Sequence, residues 1–444
     1  MVLPVAAMLV VGVRYHRTWY FYDEWSLTGQ ILGSHGSLGA LFSGYNGHLY
    51  VVPRLVYAAQ LFWAGTPNHL LVWTVFCLTI LGWIYAAALL LRQLALPTPV
   101  ALVAAVMIVT FGPGGQLVSF EINFSTDGAL ALSLLAAWVS LRHPDGRRWA
   151  VGIAVLLVTA VCFDSGAGTI GIIFVALLVV GRRPVAEWVI ALGPPVALAT
   201  WAALALPSPT ASAGPAVSLH FAVTLVLLAA GGLVGGTQVA GLVLLLFATL
   251  VLVAGFRAGA LAGDVGRALV AGMAAAACTV VVLTVSRAGL VHTDFAPYNR
   301  YVGEVATFLL VALLPSLWAS AVALRPGWRA GMTVAVTVGI VVVYAANLPG
   351  LTANLGTIEG YARTTRDGFP QVVAVAGLGC PSGRAPRPSD APLGAVAPQL
   401  TVGLLDRMTS EGLFTSIRPA TPTPAMVAAA CPPSSPSRPG LPGA

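Results

Sequence analysis

The sequence predicts an all-α polytopic membrane protein with about eleven transmembrane helices, a long first outer loop and a small extracytoplasmic C-terminal tail. Two observations carry this expectation. Hydrophobic residues make up 58% of the 444, and charged residues only 8%, about a third of what a soluble domain carries. So few charges cannot coat a water-soluble globule of this size. The apolar residues also gather in runs near the roughly 20 residues that cross a hydrocarbon core, without the amphipathic period of helices that line a soluble core.

The runs place spans at about 1–13, 69–91, 100–113, 128–141, 150–163, 168–181, 188–206, 235–256, 268–286, 304–324 and 330–348. Several are short and are expected to extend into their flanks. The glycines of 222–238 weaken a regular span, so this stretch is expected to be re-entrant or interfacial; 55–65 is expected to lie along the interface. The opening MVLPVAAMLVVGV lacks a basic leader and a clear cleavage site, and reads as a first span.

All 22 basic residues are Arg, which together with abundant Ala, Gly and Pro suggests a GC-rich genome. The net charge of +7 does not indicate nucleic acid, because the arginines are spread through loops and not gathered on one face. Short alternate loops carry Arg92; Arg142, Arg147 and Arg148; Arg182 and Arg183; Arg257 and Arg267; Arg325 and Arg329. The positive-inside rule assigns that side to the cytoplasm. The expected location is the cell membrane, multi-pass, with a cytoplasmic N-terminus and an extracytoplasmic C-terminus. Three regions follow: a transmembrane domain over 1–348 containing the first outer loop, 14–68; a small extracytoplasmic region over 349–420; and a Pro/Ser/Ala-rich end, 421–444, expected to be disordered. Cys77, Cys162 and Cys278 read as small buried hydrophobes inside spans. Cys380 and Cys431 lie in the tail, where an oxidising compartment permits one disulfide that the sequence leaves open.

Polar residues concentrate on the outer side, chiefly in the first loop, which is far longer than a structural connection. Asp23 and Glu24 are adjacent carboxylates after the first span; one can act as general base, or the pair can cap a helix or pair with Arg14 or Arg17. His48 follows the turn signal Asn46-Gly47 and either contacts phosphate or sugar or is satisfied by backbone. Arg14, Arg17, Arg54, Arg287 and Arg300 lie near spans on the outer side, against the usual bias, and the guanidinium fork matches phosphate. Tyr298 and Tyr301 flank Arg300, as a headgroup grip or as ordinary belt tyrosines. Glu121 lies between Phe120 and Phe124 in a stretch that also holds Asn123 and Asp127, and Asp164 stands at the end of another span; an acid at membrane depth is a functional candidate. There is no Walker A sequence, HExxH, CxxC or GxSxG, which removes nucleotide-driven pumps, zincins and common serine hydrolases. A divalent metal is possible on Asp23 and Glu24, but two adjacent carboxylates assign none.

A short first span, a long outer loop with YFYDEWSL, many further spans and an outer tail resemble the GT-C superfamily of membrane glycosyltransferases, of the actinobacterial type. The likeness extends to NGHLYVVPRL, SFEINF and PYNRYVGE. The resemblance implies transfer of a sugar from a polyprenyl-phosphate donor in the membrane lipid to an extracytoplasmic glycan, lipid or protein. It would make Asp23 the catalytic base, with Glu24 second. The outer arginines, especially Arg300, would hold the lipid phosphate, with His48, Glu121 and the tyrosines lining the site. DEW stands where the protein-mannosyltransferase type has DEP, so the subfamily, sugar and metal are not fixed. Two other classes compete. A transporter or lipid flippase predicts midplane charge, broken helices and an internal repeat, of which the sequence shows little. A non-catalytic membrane assembly protein predicts that Asp23 and Glu24 are dispensable.

Overall fold

The computed structural model describes residues 23–34, 37–64, 69–110, 117, 121–142, 147–179, 181, 184–206, 213–291, 299–376, 391, 400–411, 413 and 420–431. The expected first span, Arg14, Arg17, Tyr298 and Cys380 lie outside them. The chain divides into two compact units, one of residues 1–13, 41–53 and 74–356 and the other of 14–40, 54–73 and 357–444.

The described elements are helical apart from one hairpin. They run α1 (Asp23–Gly33), α2 (Leu38–Leu41), β1 (Gly44–Tyr45), β2 (His48–Leu49) and α3 (Val51–Ala59), which passes into a π turn at Gln60–Ala64. Then come α4 (Leu70–Gln93), α5 (Thr98–Val109), a 3₁₀ turn (Glu121–Asn123), α6 (Phe124–Arg142), α7 (Arg147–Phe163), α8 (Ser165–Val179) and α9 (Val185–Ala205). After these follow α10 (Pro215–Gly232), α11 (Gln238–Arg257), α12 (Gly263–Val291), α13 (Asn299–Leu324), α14 (Arg329–Ala376), α15 (Val402–Ser410) and α16 (Pro424–Ala430).

Among the described residues, 8 helices are long and apolar enough to cross a membrane, and α5 and α8 are shorter apolar helices. The first unit is a helix bundle in which α12 packs along α13, α6 along α7 and α8, α7 along α9, and α10 along α11. Its outer faces are apolar too: Leu204, Val239, Leu250 and Phe256 are mostly exposed. Such a surface is unstable in water and stable in lipid. Between helices, small residues let backbones approach. A Cβ on Gly241 would lie 2.1 Å from the Leu227 carbonyl oxygen, and one on Gly171 would lie 1.9 Å from Ser133 Oγ. Buried hydroxyls are satisfied one turn back within their own helices: Ser133 donates to the Ala129 carbonyl at 2.7 Å, Thr307 to Gly303 at 2.8 Å and Ser316 to Ala312 at 2.7 Å.

Three stretches depart from the sequence expectation. Residues 222–238 are not broken at their first glycines: α10 runs regularly from Pro215 to Gly232 and is long and apolar enough to span. Its glycines serve close packing on α11 and the turn at Gly235, where φ is +69°. The last apolar helix does not stop near 348 but continues to Ala376. In the Pro/Ser/Ala-rich end, α16 forms where disorder was expected, because Thr423 accepts a hydrogen bond from the Met426 amide and Ala430 is buried. Short helices need such caps and contacts to persist.

The second unit is built on buried aromatic and aliphatic side chains. Trp25 of α1 stacks on Phe369 of α14 with ring centroids 5.5 Å apart. Gly29 faces Leu404 of α15, and Val375, Val402, Ala430 and Met426 form a small cluster. Cys431 is disulfide-bonded, whereas Cys77, Cys162 and Cys278 are free.

Candidate functional site

In the first unit the site begins with a two-residue turn. Asn46 and Gly47 have φ of 50° and 81°, the left-handed pair that closes a tight hairpin. The turn pairs Tyr45 with His48 and Gly44 with Leu49. The Leu49 amide donates to Ser165 Oγ at 2.9 Å, which pins the hairpin to the start of α8. His48 stacks on Tyr50 at 5.7 Å and meets Asp164 Oδ1 through Nδ1 at 2.8 Å.

Asp164 stands between α7 and α8 and does two jobs. As the cap of α8 it accepts from the Gly166 amide at 2.8 Å. Its other oxygen accepts from the Thr126 hydroxyl at 3.0 Å. Burial by itself would raise its carboxyl; the His48 charge and the hydrogen bonds from His48, Thr126 and Gly166 outweigh burial and hold it down at about 2. An ionised carboxylate only accepts, so His48 Nδ1 must carry a proton. In the neutral imidazole Nε2 is then the basic atom. The ring is 29% exposed, so a proton can reach it. Gly166 makes room for this arrangement: a Cβ there would lie 2.8 Å from His48 Cε1.

Beside this pair lie the first turns of α6 and α13. Arg300 reaches Asn123 Oδ1 at 3.5 Å, donates to the Tyr301 hydroxyl at 3.1 Å, and sits 5.0 Å from the centre of the Tyr301 ring. One turn further along α13, Glu304 lies within coulombic reach of Asp164, Arg300 and Arg287. Glu121 is buried in the 3₁₀ turn that leads into α6. Of the residues expected from the sequence, His48, Glu121, Arg287, Arg300 and Tyr301 fall in this one unit, and His48, Arg287 and Arg300 share one electrostatic neighbourhood there.

The second unit also holds buried polar side chains. Asp23 opens α1, and its side chain lies outside the description. Glu24 is 1% exposed; it accepts a hydrogen bond from Tyr57 Oη and lies 3.6 Å from His69 Nε2. Arg54 is buried and donates to Gln30 Oε1 at 2.5 Å. The Gln60 side chain of the π turn accepts from the Leu71 amide at 3.0 Å. Glu24 and His69 are two of the ligand types that a divalent ion takes.

Comparison with known proteins identifies no relative. No family model, no curated protein and no solved structure matches the chain. What the chain does is therefore argued from its own residues. Sequence reasoning missed Tyr57, His69, Gln30, Thr126 and Ser165 as partners. Only Ser165 carried a local signal, since Asp-Ser-Gly before an apolar run has the composition of a helix start. The others are joined to their partners by chain separations of 24 to 45 residues, which no local pattern encodes.

Proposed function

We propose that this chain is an integral membrane glycosyltransferase of the GT-C type, which moves a sugar from a polyprenyl-phosphate donor to an extracytoplasmic glycan, lipid or protein. The observation that carries this reading is the His48–Asp164 hydrogen bond in the same electrostatic neighbourhood as Arg300 and Arg287. A proton acceptor and cationic forks at one end of an apolar bundle are the two functions that lipid-phosphate sugar transfer requires. An acceptor hydroxyl attacks the anomeric carbon, and the bond from that carbon to the phosphate oxygen breaks. The hydroxyl proton passes to the base, and the departing polyprenyl phosphate keeps its electron pair beside the arginines. Displacement in line inverts the anomeric centre.

Two candidates compete for the base. The resemblance assigns it to Asp23, with Glu24 second. In the first unit the group fit to take a proton is His48, whose orientation Asp164 fixes. Glu24 is already engaged by Tyr57 and His69. The reading takes this end of the bundle and the tail as extracytoplasmic, which the disulfide of Cys431 supports.

The test is transfer from radiolabelled polyprenyl-phosphate sugars in membranes that contain the wild type, His48→Asn, Asp23→Asn, Glu24→Gln or Arg300→Lys at matched protein levels. Loss in His48→Asn of about 100-fold or more, the upper part of what general-base catalysis contributes, assigns the base to His48; equal loss in Asp23→Asn alone assigns it to Asp23. Arg300→Lys should weaken donor use, since lysine lacks the planar fork. Unchanged transfer in all four variants removes the proposed site.

A further inference from the structure

We infer that Asp127 and Glu304 form a site for one small monovalent cation, a proton or a sodium ion, one helical turn deeper than Arg300. The inference is independent of the glycosyltransferase reading. It starts from register. Asn123, at the end of the 3₁₀ turn that leads into α6, touches Arg300 in the first turn of α13. Asp127 and Glu304 each follow four residues later, on the same helix faces one turn along. The two carboxylates lie within coulombic reach of each other.

Asp127 is the second and independent observation. It is fully buried, and neither of its carboxylate oxygens has a hydrogen-bond partner among the described residues. A buried carboxylate with no donor costs several kcal/mol, and lipid around a span offers no water to reduce that cost. A positive charge must therefore accompany it. Of the neighbouring cations, Arg300 donates to Asn123 and Tyr301 and His48 to Asp164, while Arg287 acts on Glu304 through its charge without an ion pair among the described residues. Neither Asp127 nor Glu304 forms an ion pair among the described residues. Glu304 is the charged group that reaches Asp127, and Glu304 is in turn reached by Asp164, Arg300 and Arg287 from the α7–α8 junction, α13 and α12. A proton or sodium ion between Asp127 and Glu304 completes the compensation.

The experiment uses the full chain in lipid nanodiscs, at constant ionic strength, with sodium replaced by choline. If sodium is the occupant, Tm rises by about 3 °C or more from sodium-free to saturating sodium, and Asp127→Asn and Glu304→Gln abolish that rise. If a proton is the occupant, Tm ignores sodium, and the infrared spectrum at neutral pH shows a carboxylic-acid carbonyl band that shifts in D2O and is lost in Asp127→Asn. Should Asp127→Asn not accumulate, wild type and Glu304→Gln still decide between these results. A wild type with neither sodium-dependent stability nor a protonated-carboxyl band overturns the inference. Sugar transfer is assayed in the same preparations, so that loss of the cation response with transfer intact separates this site from the proposed enzyme.

Discussion

Replacing Asp164 by Asn removes a charge and keeps a cap. Asn caps helices about as well as Asp, so the start of α8 should survive while the charge-assisted bond to His48 is lost. The carboxyl sits at about 2 against an ordinary 3.8; at 1.36 kcal/mol per unit the difference amounts to about 2 kcal/mol. The sign follows from the direction. A carboxyl held below its unfolded value stabilises the fold above that value, and the contribution disappears as pH falls through the folded one. At pH 7 Asp164→Asn should therefore lower stability by about 2 kcal/mol, roughly 2–3 °C in Tm for a chain of this length. The gap to wild type should narrow below about pH 4 and close near pH 2. Tryptophan fluorescence during thermal unfolding in nanodiscs, for wild type and variant from pH 7 to pH 3, measures it. Asp164→Ala, which also loses the cap, should cost about 1 kcal/mol more. A gap as large at pH 3 as at pH 7, or no gap at pH 7, would refute the assignment of the low carboxyl value to His48.

Three further outcomes follow from geometry. Gly166→Ala places a Cβ 2.8 Å from His48 Cε1, so sugar transfer should fall at least 10-fold with a Tm change of only about 2 °C; equal activity means that the imidazole position is immaterial. Gly241→Ala drives a Cβ against the Leu227 backbone oxygen at 2.1 Å and should cost about 3 kcal/mol. Gly339→Ala on α14, with nothing within 4 Å, should be neutral or stabilise by up to about 1 kcal/mol, which thermal unfolding compares directly. Tyr57→Phe takes one hydrogen bond from buried Glu24 and should cost about 1–3 kcal/mol. Glu24→Gln in the same background should recover part of that cost, as a double-mutant cycle would read.

The membrane fold was legible because span length and charge scarcity are properties of composition. The helix 215–232 was harder: glycine lowers helix propensity in a single-sequence reading, and its contribution to a contact with Leu227 exists only once α10 and α11 are paired. Similarly, α16 hid inside a Pro- and Ser-rich stretch because seven helical residues leave little periodic signal. At the site, Asn46-Gly47 announced the hairpin and hence the position of His48. Asp164 was visible as an acid beside a span but not as the partner of a residue 116 positions earlier. Glu24 drew notice as half of an acidic pair, whereas its buried contact with Tyr57 depends on tertiary packing.

Surface connections usually absorb added or deleted residues without harm. The Asn46-Gly47 connection should not, because a ribbon's side chains alternate between its two faces. One residue more or fewer would carry the imidazole to the opposite edge while leaving every helix intact. Length variation there is thus a sharper probe of this molecule than most point changes, and a variant that tolerates it would have found another way to present a ring nitrogen.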